Sequence, residues 1–218
     1  MAAADWALFA LWAGALICVG SLAAQLRRWL DLPDQRSLAP PRGSEAAGVR
    51  YAFTRGMDPT RKESAGKHWP TYVAGVLYHL AIAGAALTLV GSLALPAPPP
   101  DIRAGLLVLL ALGLTGGVGI QVKRAVRPQM RAFSTPDDFA ANALVDVFLL
   151  GAWAAVLTPA AYPAFHLAAA ALLAYLPFSK LRHVLFFFLA RYYLGVFFGR
   201  RGVLPPPAPG RAGRRGAG

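Results

Sequence analysis

The chain has 218 residues, enough for one or two soluble domains by length, yet 56% of it is hydrophobic and only 15% is charged. Its charges are bunched, and between the bunches run apolar stretches of the ~20 residues a helix needs to cross a bilayer core, which excludes an ordinary soluble class. The net charge of +12 is explained by where Lys and Arg sit relative to those stretches and by attraction to anionic lipids, so nucleic acid is not an expected partner.

Five spans are predicted, at about 6–26, 69–95, 104–122, 139–158 and 163–190. They must be helices, because a lipid-exposed backbone has to satisfy its own hydrogen bonds. The first is longer than a signal-peptide core and lacks a small-x-small cleavage site, so it reads as a retained helix. It holds the lone Cys18, which leaves no disulfide framework and no Cys-based metal or covalent haem motif. The polar loop Arg27–Lys67, with its RGMDPTRKES run at 55–64, is expected to offer a docking surface. The connection ALPAPPPD (94–101) reads as short and stiff, since consecutive prolines favour extended geometry.

GLTGGVG (113–119) belongs to the third span. No strand precedes it and no Lys-Ser/Thr follows, so it is not a phosphate loop; close helix packing or room for a flat cofactor explains it better. Ser134-Thr135-Pro136-Asp137-Asp138 opens the fourth span with a hydroxyl cap, a proline and first-turn acids. After the fifth, VLFFFLARYYLGVFFGRRG (184–202) is expected to emerge and lie along the membrane interface. The predicted organisation is an all-α, five-helix membrane domain over 1–202 and a basic Pro/Gly tail over 203–218, whose composition predicts disorder.

Basic residues set the orientation. Nine lie between the first two spans, four follow the third (Lys123, Arg124, Arg127, Arg131), eight run from Lys180 onward, and Arg103 alone faces the other side. The positive-inside rule then puts the N-terminus outside and the C-terminus in the cytoplasm, as five spans require. The expected location is the inner (plasma) membrane of a prokaryotic cell.

All four histidines, His68, His79, His166 and His183, fall in or at the edges of spans two and five. Ionisable groups inside membrane helices are costly and usually serve a function. His68 and His79 are eleven residues apart, so on one helix they share a face within about 20° and stand about 16 Å apart. Span five runs the other way, and depth pairs His68 with His183 and His79 with His166. Two such pairs suit two six-coordinate haem irons, making the bundle a di-haem one. Zinc lacks the Cys, Asp or Glu to complete its shell. The seventeen residues from His166 to His183 leave that pair about 100° out of phase on a straight helix, which a kink at Pro177 could restore.

HW at 68–69, His79 in the same span, and the late LPFSKLRH (176–183) after His166 resemble the nitrate reductase gamma subunit-like cytochromes b, across about residues 1–202. KESAGKHWPTYVAGVLYH is more similar to the membrane subunits attached to heterodisulfide-reductase-like and sulfite-reductase-associated proteins. The resemblance implies two non-covalent b-type haems, ligated by His68 with His183 and by His79 with His166. It also implies menaquinone or ubiquinone as mobile substrate, and a cytoplasmic iron–sulfur subunit as partner. The chain is then the electron-transfer subunit of a quinol-linked oxidoreductase complex; the alternative is a cofactor-free transporter or assembly scaffold.

Two further side chains remain open at this stage. Arg103 is either part of a quinone pocket, as related subunits imply, or an interfacial anchor beside Asp101. Asp146 either relays protons or partners a haem propionate through water, or it is a structural carboxylate bonded to Asn142 one turn back.

Overall fold

The computed structural model describes residues 3–33, 39–61, 68–94 and 98–206. Its helices are α1 (Ala3–Leu30), α2 (Glu45–Phe53), α3 (Trp69–Ala94), α4 (Pro100–Val126), α5 (Pro128–Ala132), α6 (Pro136–Leu157), α7 (Tyr162–Tyr175) and α8 (His183–Arg200), joined in part by short 3-10 turns. The described residues contain no strand. Most of the basic tail, and parts of the two loops around residues 62–67 and 95–97, lie outside the described residues.

Six helical stretches are long and apolar enough to cross a membrane, where five were predicted. The first four agree with the prediction, and the difference lies in the fifth. Instead of one helix over 163–190, α7 stops at Tyr175 and 3-10 turns occupy Leu176–Phe178 and Lys180–Arg182 before α8 begins. Pro177 cannot donate a backbone hydrogen bond, and Ser179 is fully extended at φ −113, ψ −179. The Ser179 hydroxyl takes over local bonding, donating to Leu176 O and accepting from Leu181 N, both at 3.2 Å. The proline therefore ends the helix rather than bending it. Lys180–Arg200 is by length and apolarity a sixth candidate span, where the end of span five (to 190) and an interfacial stretch over 184–202 were expected.

The single membrane domain expected over 1–202 is divided into two compact units. One comprises Met1–Trp29 and Trp69–Arg182; the other comprises Leu30–His68 and His183–Gly218.

In the first unit, α3, α4, α6 and α7 bury Phe165, Leu110 and Leu149 completely, and the rings of Phe148 and Phe165 stack at 5.4 Å. Small residues set the helix separations, as expected where lipid supplies no hydrophobic drive between helices. A methyl on Gly113 would lie 2.1 Å from the Ala81 Cβ, so α3 and α4 touch there. Large apolar side chains such as Val90, Val108, Val147 and Leu150 are exposed. The start of α6 follows its sequence signature: Asp138 accepts from Thr135 N at 2.8 Å and Thr135 Oγ1 at 2.9 Å. Lys180 Nζ reaches the same carboxylate at 2.6 Å, and Asp137 accepts from Tyr175 OH and from Lys180 N, which ties the break after α7 to the start of α6.

In the second unit, α2 and α8 meet backbone to backbone. A methyl on Gly48 would lie 2.2 Å from Gly195 O, and one on Gly199 would lie 2.6 Å from Ser44 O. Arg42 N and Gly43 N cap α8 by donating to Arg200 O at 2.8 and 3.1 Å. Arg191 donates to Gly56 O at 3.4 Å. The loop after the first span is thus partly a helix folded onto α8.

Candidate functional site

The histidine pair expected nearer the outer face, His79 and His166, does not meet. His79 lies on an exposed face of α3, with Nδ1 bonded to Gly75 O at 2.7 Å. His166 is buried on α7, its ring stacked on Tyr162 at 6.1 Å and Phe165 at 6.2 Å, with Nε2 2.9 Å from Ser92 Oγ. Ser92 is thirteen residues beyond His79 on the same helix, about 20 Å along the axis and about 140° around it. Two histidines would hold one haem between them only if their side chains approached each other. As arranged, His79 and His166 do not fit a shared iron. His68 and His183 fall in the other unit, both exposed, and their imidazole chemistry suits haem iron. Among the described residues no group of three or more His, Cys, Asp or Glu is placed to hold a metal ion.

What His166 does meet is the wall of a cavity. A space of about 500 Å³ opens between the ends of α3, α4 and α6, lined by apolar groups such as Leu87, Ile102, Leu106 and Val156. Its polar lining is sparse: Thr88 and Ser92 from α3, Arg103 from α4, and Tyr162 from α7. Arg103 donates to Leu157 O at the last turn of α6, which holds its guanidinium at the cavity and satisfies a helix-end carbonyl. The Thr88 hydroxyl is spent on Gly84 O at 2.9 Å. The Ser92 hydroxyl donates to Leu89 O at 2.7 Å, so its contact with His166 needs the imidazole to carry the proton on Nε2. A smaller space of about 260 Å³ is lined by Leu8, Pro159, Tyr162 and His166 among others. An apolar cavity of this size with a few convergent polar groups is the usual form of a small-molecule site.

Arg103, singled out in the sequence as a pocket residue or an interfacial anchor, lines this cavity; Ser92, Thr88 and Tyr162 were not singled out. The signal was present: Thr88 and Ser92 are hydroxyl residues four apart, hence on one face, in an otherwise apolar stretch.

Asp146 belongs to a separate cluster. Tyr78 OH donates to its Oδ1 at 2.9 Å and Asn142 Nδ2 to its Oδ2 at 2.8 Å. Asn142 also reaches Gly117 O at 3.3 Å, and Arg124 donates to Asp138 O at 2.8 Å and to Asn142 Oδ1 at 3.5 Å. Both carboxylate oxygens are engaged, which is the structural alternative anticipated for this residue. The glycines beside it serve packing: Gly113 against Ala81, and Gly117 against Asp146 and Tyr78.

Fold and site together define, among the described residues, an all-helical arrangement with six helices long and apolar enough to cross a membrane and a largely apolar cavity. No protein-family model, curated protein or solved structure matches the chain.

Proposed function

We propose that the chain is the quinone-handling membrane subunit of an oxidoreductase complex, in keeping with its resemblance to the nitrate reductase gamma subunit-like cytochromes b. The cavity beside Arg103 carries the reading. Its apolar walls suit a lipid-soluble ring and tail, while the Arg103 guanidinium and the Ser92–His166 pair offer polar partners to a quinone carbonyl or quinol hydroxyl. A quinol held there gives up two electrons and two protons and leaves as quinone. The acceptor is an iron–sulfur protein docked on the basic, cytoplasmic side, and the same parts serve the reverse flow. The protein binds and orients the quinone and keeps the site dry; the redox chemistry belongs to the cofactors.

Two b-type haems belong to this reading through the resemblance, and haem supplies one-electron transfer when bound. His68 and His183 are the inner ligands it names. His79 and His166, as placed, do not meet its outer requirement. The direct test is a pyridine haemochrome assay on purified protein, followed by titration with menaquinone and ubiquinone analogues. Saturable quinone binding that weakens in Arg103→Gln supports the reading. Absence of both haem and quinone binding removes it.

One observation favours a second reading, a cofactor-free transporter. The Tyr78–Asp146–Asn142 cluster joins α3, α4 and α6 within the apolar part of the bundle. Proton flux in proteoliposomes that vanishes in Asp146→Asn would select it.

A further inference from the structure

We propose that a groove between α3 and α4, on the basic side of the bundle, binds one anionic phospholipid. The two helices touch where Gly113 meets Ala81, and from there toward Lys123 a space opens along them. A methyl on Gly116 would lie 3.4 Å from Ala74 O, and one on Gly119 would have nothing within 4 Å. The resulting space of about 400 Å³ is walled by Ala74 and Leu77 on one side and by Leu112, Gly116 and Gly119 on the other. Thr115 also faces it, but that hydroxyl is bonded to Ala111 O at 2.8 Å, so the wall presents mainly hydrocarbon.

Length and charge name the occupant. From Leu112 to Lys123 is eleven residues, about 16 Å of helix. That is about half of the ~30 Å hydrocarbon core, the depth of one leaflet. At the groove's end stands Lys123, its Nζ donating to Thr71 Oγ1 at 3.1 Å. An ammonium has three donors and Thr71 takes one, so the group is held in place at headgroup level with further capacity for phosphate oxygens. Arg124 and Arg127 follow at the helix end and add to the positive field. An acyl chain lying along the glycine stripe with its phosphate on Lys123 satisfies both the apolar wall and the charge. The groove opens sideways and ends in a cation, unlike the cavity at Arg103, which lies near the other end of α4.

Native mass spectrometry of the full chain in detergent, titrated with phosphatidylglycerol or with phosphatidylcholine of the same acyl chains, tests the site. We expect phosphatidylglycerol to be retained about fivefold more strongly, the factor for one basic residue at a membrane surface. Lys123→Gln should abolish the preference. Gly119→Leu fills the groove at a position with open space, so the fold should tolerate it while both lipid adducts weaken. Inorganic phosphate should not displace the lipid. Equal retention of the two lipids, an unchanged preference in Lys123→Gln, or displacement by free phosphate or by a quinone analogue would each overturn the proposal. Quinone binding at Arg103 is read separately, so the two proposals can fail independently.

Discussion

Gly117 of α4 lies directly against the carboxylate of Asp146 on α6: a methyl group there would sit 2.0 Å from Oδ1 and 2.5 Å from the Tyr78 ring. The absence of a side chain is what lets three helices close around the one carboxylate of α6 that lies beyond its first turn. Gly117→Ala should therefore push the cluster apart and destabilise the fold by about 1–3 kcal/mol, the usual cost of overpacking. Thermal unfolding in detergent checks this, with Gly119→Ala as the control expected to leave the midpoint unchanged.

Removing a single donor from that cluster should cost less. Tyr78→Phe deletes the bond to Asp146 Oδ1 but leaves Asn142 on Oδ2. Interhelical hydrogen bonds in membranes are worth about 0.6 kcal/mol on average and about 1.7 at most, and the loss should fall in that range. Asp146→Asn should cost more, because it turns an amide donor toward an existing donor. Denaturant titration of reconstituted protein would rank the two; the reverse order would show that the carboxylate is not the centre of the cluster.

At the cavity, Ser92→Ala should free His166 Nε2 of its partner and weaken quinone-analogue binding several-fold. His166→Ala should do the same, with little change in haem content. Haem absorbance lost in His166→Ala would instead return that residue to the axial-ligand role the resemblance implies. Arg103→Gln should weaken binding too and lower stability by about 1 kcal/mol, through the carbonyl at Leu157.

The second unit depends on a different set of glycines. Gly199→Leu would place a side chain where even a methyl comes within 2.6 Å of Ser44 O, so α2 should detach from α8. Hydrogen exchange over residues 45–53 should accelerate by at least an order of magnitude, while Gly105→Leu on α4, where a methyl meets nothing within 4 Å, should leave it unchanged.

Residues close together in the chain carried what the sequence could determine. The first four spans follow from uninterrupted apolar length, and the start of α6 follows from Thr135 and Asp138, which bond within one turn. The bond between Asn142 and Asp146 was also within reach, because four residues of helix put both side chains on one face. Pro177 marked the place where span five changes, but not whether the chain bends or stops. That outcome rests on Ser179, Lys180 and their bonds to Leu176, Asp137 and Asp138.

The partner of His166 was decided only in three dimensions. Helical periodicity fixes the angle between side chains on one axis, so residues eleven apart can be placed relative to each other. It says nothing of how far a neighbouring helix is slid or rotated against that axis. Here the offset brings His166 to Ser92 rather than to His79, and small contacts of the Gly113–Ala81 kind help set such offsets. Lipid rewards any apolar surface equally, so hydropathy chooses the spans while close packing between helices chooses which polar groups meet.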